Sequence, residues 1–267
     1  MKKENLFRIL VVCIFGLIVL AASIIFVQYW PTSTEIVTSP APTPFSKREK
    51  LVVITRNDLQ GYYSYQNEPQ GFEYDLAKAF SHYAGLELQM VTGSNWSEIQ
   101  NALYNNHADI VTGMVANAPG GERFSFSKSY ITARQVPIFN KKQAPVNSVS
   151  DLSGRTISVA MSSVHQTRLD TLMADGLVFN AVYYQDKTTD DFVKGVAEGL
   201  YDVTMAYDYI AMAYTRHYPN ISVGVVLKDD LELAWAVRPE DTELLAKINE
   251  FLFEMETTDN VCSIKTT

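Results

Sequence analysis

Cysteine and histidine are scarce: the 267 residues include two of the first and four of the second. Cys13 and Cys262 lie in no C-x-x-C or Cys/His spacing, which excludes a disulfide scaffold and a structural zinc site. Cys13 also falls inside an apolar run, which argues against a bond between the two. His82, His107, His165 and His217 show no metal spacing and have no companion nucleophile. The G-x-S-x-G, H-E-x-x-H and phosphate-loop patterns are all missing, so no metal or cofactor is expected. Positive charge is short too. Lys and Arg number 22 against 30 Asp and Glu, a net charge of −8, and a general nucleic-acid binder needs a basic face. Charged residues are only 19% of the chain while hydrophobic ones are 47%, which excludes intrinsic disorder. The length suits one large domain or two small lobes.

One long apolar run is present. Ile9 to Val27 is interrupted only by Gly16 and Ser23 and follows Lys2, Lys3 and Arg8. About 20 such residues span a bilayer, with the positive flank on the cytoplasmic side. A cleaved signal peptide is the rival, with a shorter apolar core and a small-residue cut site. Here Ala21-Ala22-Ser23 is followed by Ile24-Ile25-Phe26-Val27, so the core runs past the cut. The expectation is a signal anchor over residues 1–30, single-pass in the inner (cytoplasmic) membrane, with Tyr29 and Trp30 at its outer interface. Residues 31–50 then read as a spacer, because Pro40, Pro42 and Pro44 favour extended polyproline geometry. Six basic and three acidic side chains fall within residues 1–50, leaving the exported part at −11. An anionic ligand there needs a local cation.

Beyond the spacer, strands alternate with helices. Leu51 to Ile54 reads as a buried strand, and Gly61 to Gly71 as a loop rich in Tyr, Gln and Asn. Glu73 to Ala84 has the spacing of an amphipathic helix stopped by Gly85. Leu86 to Val91 reads as a strand, and Asn95 with Glu98 as a helix-opening capping box. Ile157 to Ala160 is a strand, Ser163 to Ala174 and Asp190 to Leu200 are helices, and Glu243 to Met255 is the closing helix. This is an α/β layered pattern. ALYNNHADIVTG and VAEGLYDVTMA repeat one device: a helix, a tight turn carrying Asp109 or Asp202, and a strand. Two such copies suggest two similar lobes rather than one continuous sheet.

The segment Gly71-Phe72-Glu73-Tyr74-Asp75-Leu76-Ala77-Lys78-Ala79-Phe80 resembles the G-F-[DE]-x-D-L-A signature of family 3 extracellular solute-binding proteins. GGERFSFSKSY, DLSGRTISVAMSS and YDVTMAYDYIAMAY follow in that family's order, with Trp96, Leu103 and Asp109 between. FEYDLAKAFSHYAG, RHYPN and INEFLFEM are similar to the N-terminal binding-like domain of membrane-bound lytic murein transglycosylases. The resemblance implies a two-lobed type II periplasmic-binding-protein fold with a central ligand cleft. Residues 51–138 with 228–267 would form lobe 1, and 139–227 lobe 2. It also implies capture of an amino acid or a murein-derived peptide, without catalysis. The chain would serve an ABC transporter or a cell-wall enzyme. The alternatives are a truncated transglycosylase that keeps only its regulatory binding domain, and a ligand-free scaffold for a partner protein.

Candidate ligand residues follow. Arg123, after Gly120-Gly121, offers a planar fork of donors that matches a carboxylate, and the resemblance gives it the ligand α-carboxylate. Thr112, Gly113, Met114, Val115 and Ala116 sit at a strand end, where Gly113 and Met114 replace the family's hydroxyl pair. A plain buried strand end suits Met114 equally. Ser162, Ser163 and Val164 mark a strand-to-helix junction whose free amides suit an anion; ordinary capping by Ser163 is the alternative. Asp208 resembles the family's counter-charge to a ligand ammonium group, although an ungapped match places Tyr207 there. Tyr62, Tyr63 and Tyr65 are candidates for an aromatic wall over the ligand.

Overall fold

A computed structural model of the chain describes residues 43–116 and 123–257. The apolar run Ile9–Val27, most of the spacer, Gly120-Gly121 and the tail from 258 onward lie outside the described residues. No helix among those described is long and apolar enough to cross a membrane.

Twelve strands and six α-helices are described. The first half carries β1 (Lys50–Arg56), β2 (Tyr63–Tyr65), β3 (Glu68–Gln70), α1 (Phe72–Ala84), β4 (Glu87–Gly93), α2 (Trp96–Tyr104), β5 (Ile110–Val115) and β6 (Ser125–Phe126). A long strand, β7 (Ile131–Asn140), then crosses over. The second half carries β8 (Thr156–Ala160), α3 (Val164–Ala174), β9 (Asn180–Tyr184), α4 (Thr189–Glu198), β10 (Val203–Tyr207), α5 (Asp208–His217) and β11 (Ile221–Val223). The second long strand, β12 (Lys228–Val237), returns, and α6 (Thr242–Thr257) closes the fold.

The strand order is β4-β1-β5-β12-β7-β10-β8-β9. Its two halves repeat one topology. In each, three parallel strands are ordered second-first-third (β4-β1-β5 and β9-β8-β10) and flanked by one antiparallel long strand (β12 and β7). The fold is two-lobed, as the repeated device suggests. The expectation that the lobes do not share one continuous sheet is corrected, because β12 and β7 pair with each other and join the halves into one hydrogen-bonded path.

The recurring aspartates explain the likeness. Asp109 Oδ2 accepts from Val52 N at 2.9 Å, so it caps the first strand of its lobe. Asp202 Oδ2 accepts from Thr156 N at 2.9 Å in the other lobe. Each is braced by arginine: Asp109 by Arg48 and Arg238, Asp202 by Arg155.

Helix α1 buries Leu76, Ala77 and Phe80, and Phe80 packs edge-on against Trp235 at 5.6 Å and near Phe251 at 5.4 Å. Gly85 ends the helix in a left-handed conformation at φ 68°, which costs glycine little. Asn95 caps α2 by accepting from Glu98 N, and Glu98 reaches back to Ser94 N. The second lobe buries Leu152, Ile157, Leu169 and Val203 in its own cluster.

Two expectations change. Gly61 to Gly71 is not all loop: β2 and β3 pair antiparallel, with Gln66 and Asn67 at φ 52° and 66° in the turn. Positive φ at both central residues is what a tight hairpin demands. The spacer also ends before Lys50. Phe45–Lys47 forms a short 3-10 turn, and the Arg48 guanidinium is buried against Asp109 at 3.5 Å and Asp241 at 2.5 Å. Arg238 completes this four-charge cluster, 3.4 Å from Asp109 and 3.3 Å from Asp241.

Candidate functional site

Parallel strands of an open α/β sheet present their carboxyl ends to a crevice, where ligands bind. Here the ends of β1, β8 and β10 converge on one small cavity of about 30 Å3 between the lobes. Arg56, Asp58, Gln60 and Trp96 line it from one side, and Ser163, Val164, His165 and Tyr207 from the other. That volume holds a few waters and is far below the ~300 Å3 at which ligand pockets begin.

Arg56 is the cation of this cavity. Its guanidinium lies 5.7 Å from the Trp96 ring centroid, and Nε donates to Asp58 Oδ2 at 3.3 Å. Nη2 crosses to the other lobe and donates to Lys187 O at 2.9 Å. A second cross-lobe bond runs from Leu59 N to Asp190 Oδ2 at 3.3 Å. Asp190 also accepts from Tyr214, and burial pushes its carboxyl up to about 6. His165 faces Arg56. Burial, reinforced by that positive charge, lowers its ring to about 4, so it stands neutral at pH 7. Its Nδ1 lies 3.1 Å from Gln135 Nε2.

Opposite Arg56 is the amino end of α3. Ser163 caps the helix by accepting from Gln166 N at 3.3 Å and donates to Ala160 O at 2.6 Å. Ser162 adopts φ 57°, and its amide is held by Gln166 Oε1 at 2.7 Å. A helix start carries unpaired amides and a partial positive charge, so cavity-facing Val164 and His165 bring that field toward Arg56.

The sequence candidates divide. Ser163 and Val164 line the cavity; Ser162 is an exposed neighbour. Tyr207 lines it and Asp208 does not. Asp208 is held by Arg134, accepting from its backbone N at 3.1 Å and its Nε at 2.8 Å. Arg123 is exposed, with Nη2 3.4 Å from Gln100 Oε1 and its guanidinium over Phe124. It does not line the cavity. Tyr62 packs its ring 5.5 Å from Tyr74, and Tyr65 is exposed on β2. Tyr63 faces a separate groove, donating to Gln70 Oε1 at 3.2 Å. Met114 packs into the cluster of Ile54, Ile99 and Val111.

Gly113 stands over a buried carboxylate. It adopts φ 66° and its N donates to Tyr130 Oη at 3.1 Å. Tyr130 Oη in turn donates to Glu73 Oε1 at 2.7 Å, and Trp235 Nε1 donates to Glu73 Oε2 at 3.1 Å. Glu73 is fully buried with no ion-pair partner among the described residues, and desolvation raises its carboxyl to about 7 despite these donors.

Arg56, Asp58, Asp190 and Glu73 were not singled out by residue type. Arg56-Asn57-Asp58 is a polar cluster at the carboxyl end of the apolar strand β1, and that is the signal that marks it.

The model for bacterial extracellular solute-binding proteins, family 3, matches residues 51–266. A membrane-bound lytic murein transglycosylase F of Desulfosudis oleivorans is 34% identical over 208 residues, 78% of this chain and 46% of that protein. The Sodalis glossinidius protein of the same name is 29% identical over 211 residues, 78% of this chain and 45% of that one. The chain thus spans about half the length of these curated relatives. Among solved structures, an ancestral arginine-binding protein bound to arginine superposes with a TM-score of 0.73 at 25% identity, covering 81% of this chain and 96% of that one. The holo arginine-binding protein of T. maritima gives 0.69 at 27% identity, covering 79% and 92%. With the matched model spanning nearly all of both lobes, this chain belongs to the family 3 bacterial extracellular solute-binding proteins.

Proposed function

We propose that this chain is a membrane-tethered, extracytoplasmic binding module that captures a small carboxylate-bearing solute, an amino acid or peptide-like molecule, by closing its lobes. No bond is made or broken. One observation carries the proposal: the Arg56 guanidinium, stacked on Trp96, faces the amino end of α3 across the interlobe cavity. A guanidinium and the amides of a helix start are complementary to a carboxylate, and Arg56 Nη2, held by Lys187 O across the lobes, would turn to the ligand once the lobes open. Amino-acid-binding structural neighbours support the same ligand class. The cavity is too small for such a ligand, so capture requires opening first. Hinge motion about β7 and β12, followed by closure onto ligand, is the expected cycle. Tyr207 in place of an acid leaves no counter-charge for an ammonium group on the second lobe. The tether is the run Ile9–Val27 behind Lys2, Lys3 and Arg8, and the recipient is an ABC transporter or a cell-wall enzyme.

The likeness to murein transglycosylases favours a second reading, the regulatory binding region of a longer cell-wall enzyme. Sequencing the DNA downstream for a lysozyme-like domain separates the two.

Thermal-shift screening with amino acids and muropeptides tests the proposal, because a ligand at 100-fold its Kd adds about 2.7 kcal/mol to folded-state stability. A carboxylate ligand should raise Tm in the native chain and not in Arg56→Leu. If Arg123→Ala abolishes the shift while Arg56→Leu retains it, the cation is misassigned. No shift with any member of the panel would remove the capture function.

A further inference from the structure

Outside the cavity of Arg56 lies a larger groove of about 690 Å3, within the ~300–1,000 Å3 range of small-molecule sites. It opens between the lobes and shares Ile210 with the smaller cavity. One flank is the β2–β3 hairpin and the start of α1, with Tyr63, Phe72 and Asp75. The other is the start of α5, with Asp208 and Tyr209.

The groove's chemistry has one sign. No Lys or Arg among the described residues lines it. Of its two carboxylates, Asp208 has both oxygens occupied by Arg134. Asp75 is half-buried, and its side chain accepts no hydrogen bond among the described residues. Lys78, one turn along α1, pulls the Asp75 carboxyl down less than burial pushes it up, and Lys78 itself lies over the Tyr74 ring at 5.7 Å. Tyr63, Phe72 and Tyr209 add aromatic surface on both flanks. Tyr209 is braced from behind by Tyr207, stacked at 6.0 Å with 4° between the rings. A partly desolvated, unpaired carboxylate beside aromatic faces attracts an organic cation by direct charge and by the ring quadrupoles.

We propose that this groove is a second binding site, for a ligand carrying a primary ammonium group on an aromatic or aliphatic body. Asp75 takes the ammonium, and Tyr63, Phe72 and Tyr209 take the body. A ligand there touches both lobes, so it biases their angle independently of the carboxylate site.

The probe is tyramine, with 4-hydroxyphenylacetate and tyrosol as its anionic and neutral counterparts. Isothermal titration on the full chain in detergent should show tyramine binding at least about tenfold tighter than either, the ratio expected when one charge and cation–π contact is lost. Asp75→Asn should weaken tyramine about tenfold. Ala213→Trp, an exposed position that fills the groove without touching Asp75 chemistry, should do the same. Equal affinity for the three probes overturns the proposal, as does tyramine binding that survives Ala213→Trp. A circular dichroism melt of each variant identifies one that fails to fold, and the three-probe comparison on the native chain stands without the variants.

Discussion

Replacing Glu73 by Gln isolates the most perturbed acid in the first lobe. The native side chain is fully buried, bonded to Tyr130 and Trp235, and its carboxyl sits at about 7 against an ordinary 4.5. An acid whose folded pKa is raised holds its proton more tightly folded than unfolded. Its contribution is therefore fully present below about 4.5 and is lost as pH rises through about 7. At about 1.4 kcal/mol per pH unit, the difference between those values amounts to roughly 3 kcal/mol. Glutamine keeps an oxygen for one of the two donors, which bind separate oxygens of Glu73; the bond it loses lowers stability equally at both pH values, and the amide does not titrate. His165 and Asp190, which also titrate, are common to both proteins and cancel in the comparison. Urea unfolding at pH 4.5 and pH 8 should show the native chain losing roughly 3 kcal/mol more than Glu73→Gln across that interval. Parallel pH profiles would refute the assignment of a neutral Glu73 in the fold at low pH.

Arg48→Ala should cost about 3–5 kcal/mol by urea unfolding, because it strips one cation from a buried cluster and leaves Asp109 and Asp241 to Arg238 alone; a loss under 1 kcal/mol would show that residues 43–49 do not belong to the folded lobe. Gly113→Ala should cost about 1–2 kcal/mol by the same assay. Its φ is 66° and a Cβ would lie 3.1 Å from Gln60 Nε2 and 3.3 Å from Glu73 Oε1. Unchanged stability would mean that the strand end relaxes freely.

The layered α/β order was readable because strands and helices here follow simple periodicity and caps. Asn95 and Gly85 each do what their type predicts at a helix end. Asp109 and Asp202 announced the repeat because a carboxylate before a strand can cap its parallel neighbour. The β2–β3 hairpin was hidden because Gln66-Asn67 lacks the glycine that usually marks such a turn. Arg48 was hidden as well, since its partners lie 61 and 193 positions away in sequence. The site was legible at the α3 junction, where Ser163 and Val164 sit where a helix start must. It was not legible at Arg56, and the sequence left Tyr207 and Asp208 as alternatives, because these side-chain directions depend on how two distant strands end beside each other.

The most direct test measures the lobes themselves. Spin labels at Asn101 in the first lobe and Val178 in the second, both exposed, with Cys13 and Cys262 replaced by serine, report the interlobe distance by pulsed electron resonance. Adding the amino acid that gives the largest thermal shift should collapse a broad distribution onto one shorter distance, and Arg56→Leu should stay broad. A distribution unmoved by a ligand that demonstrably binds would contradict capture by closure.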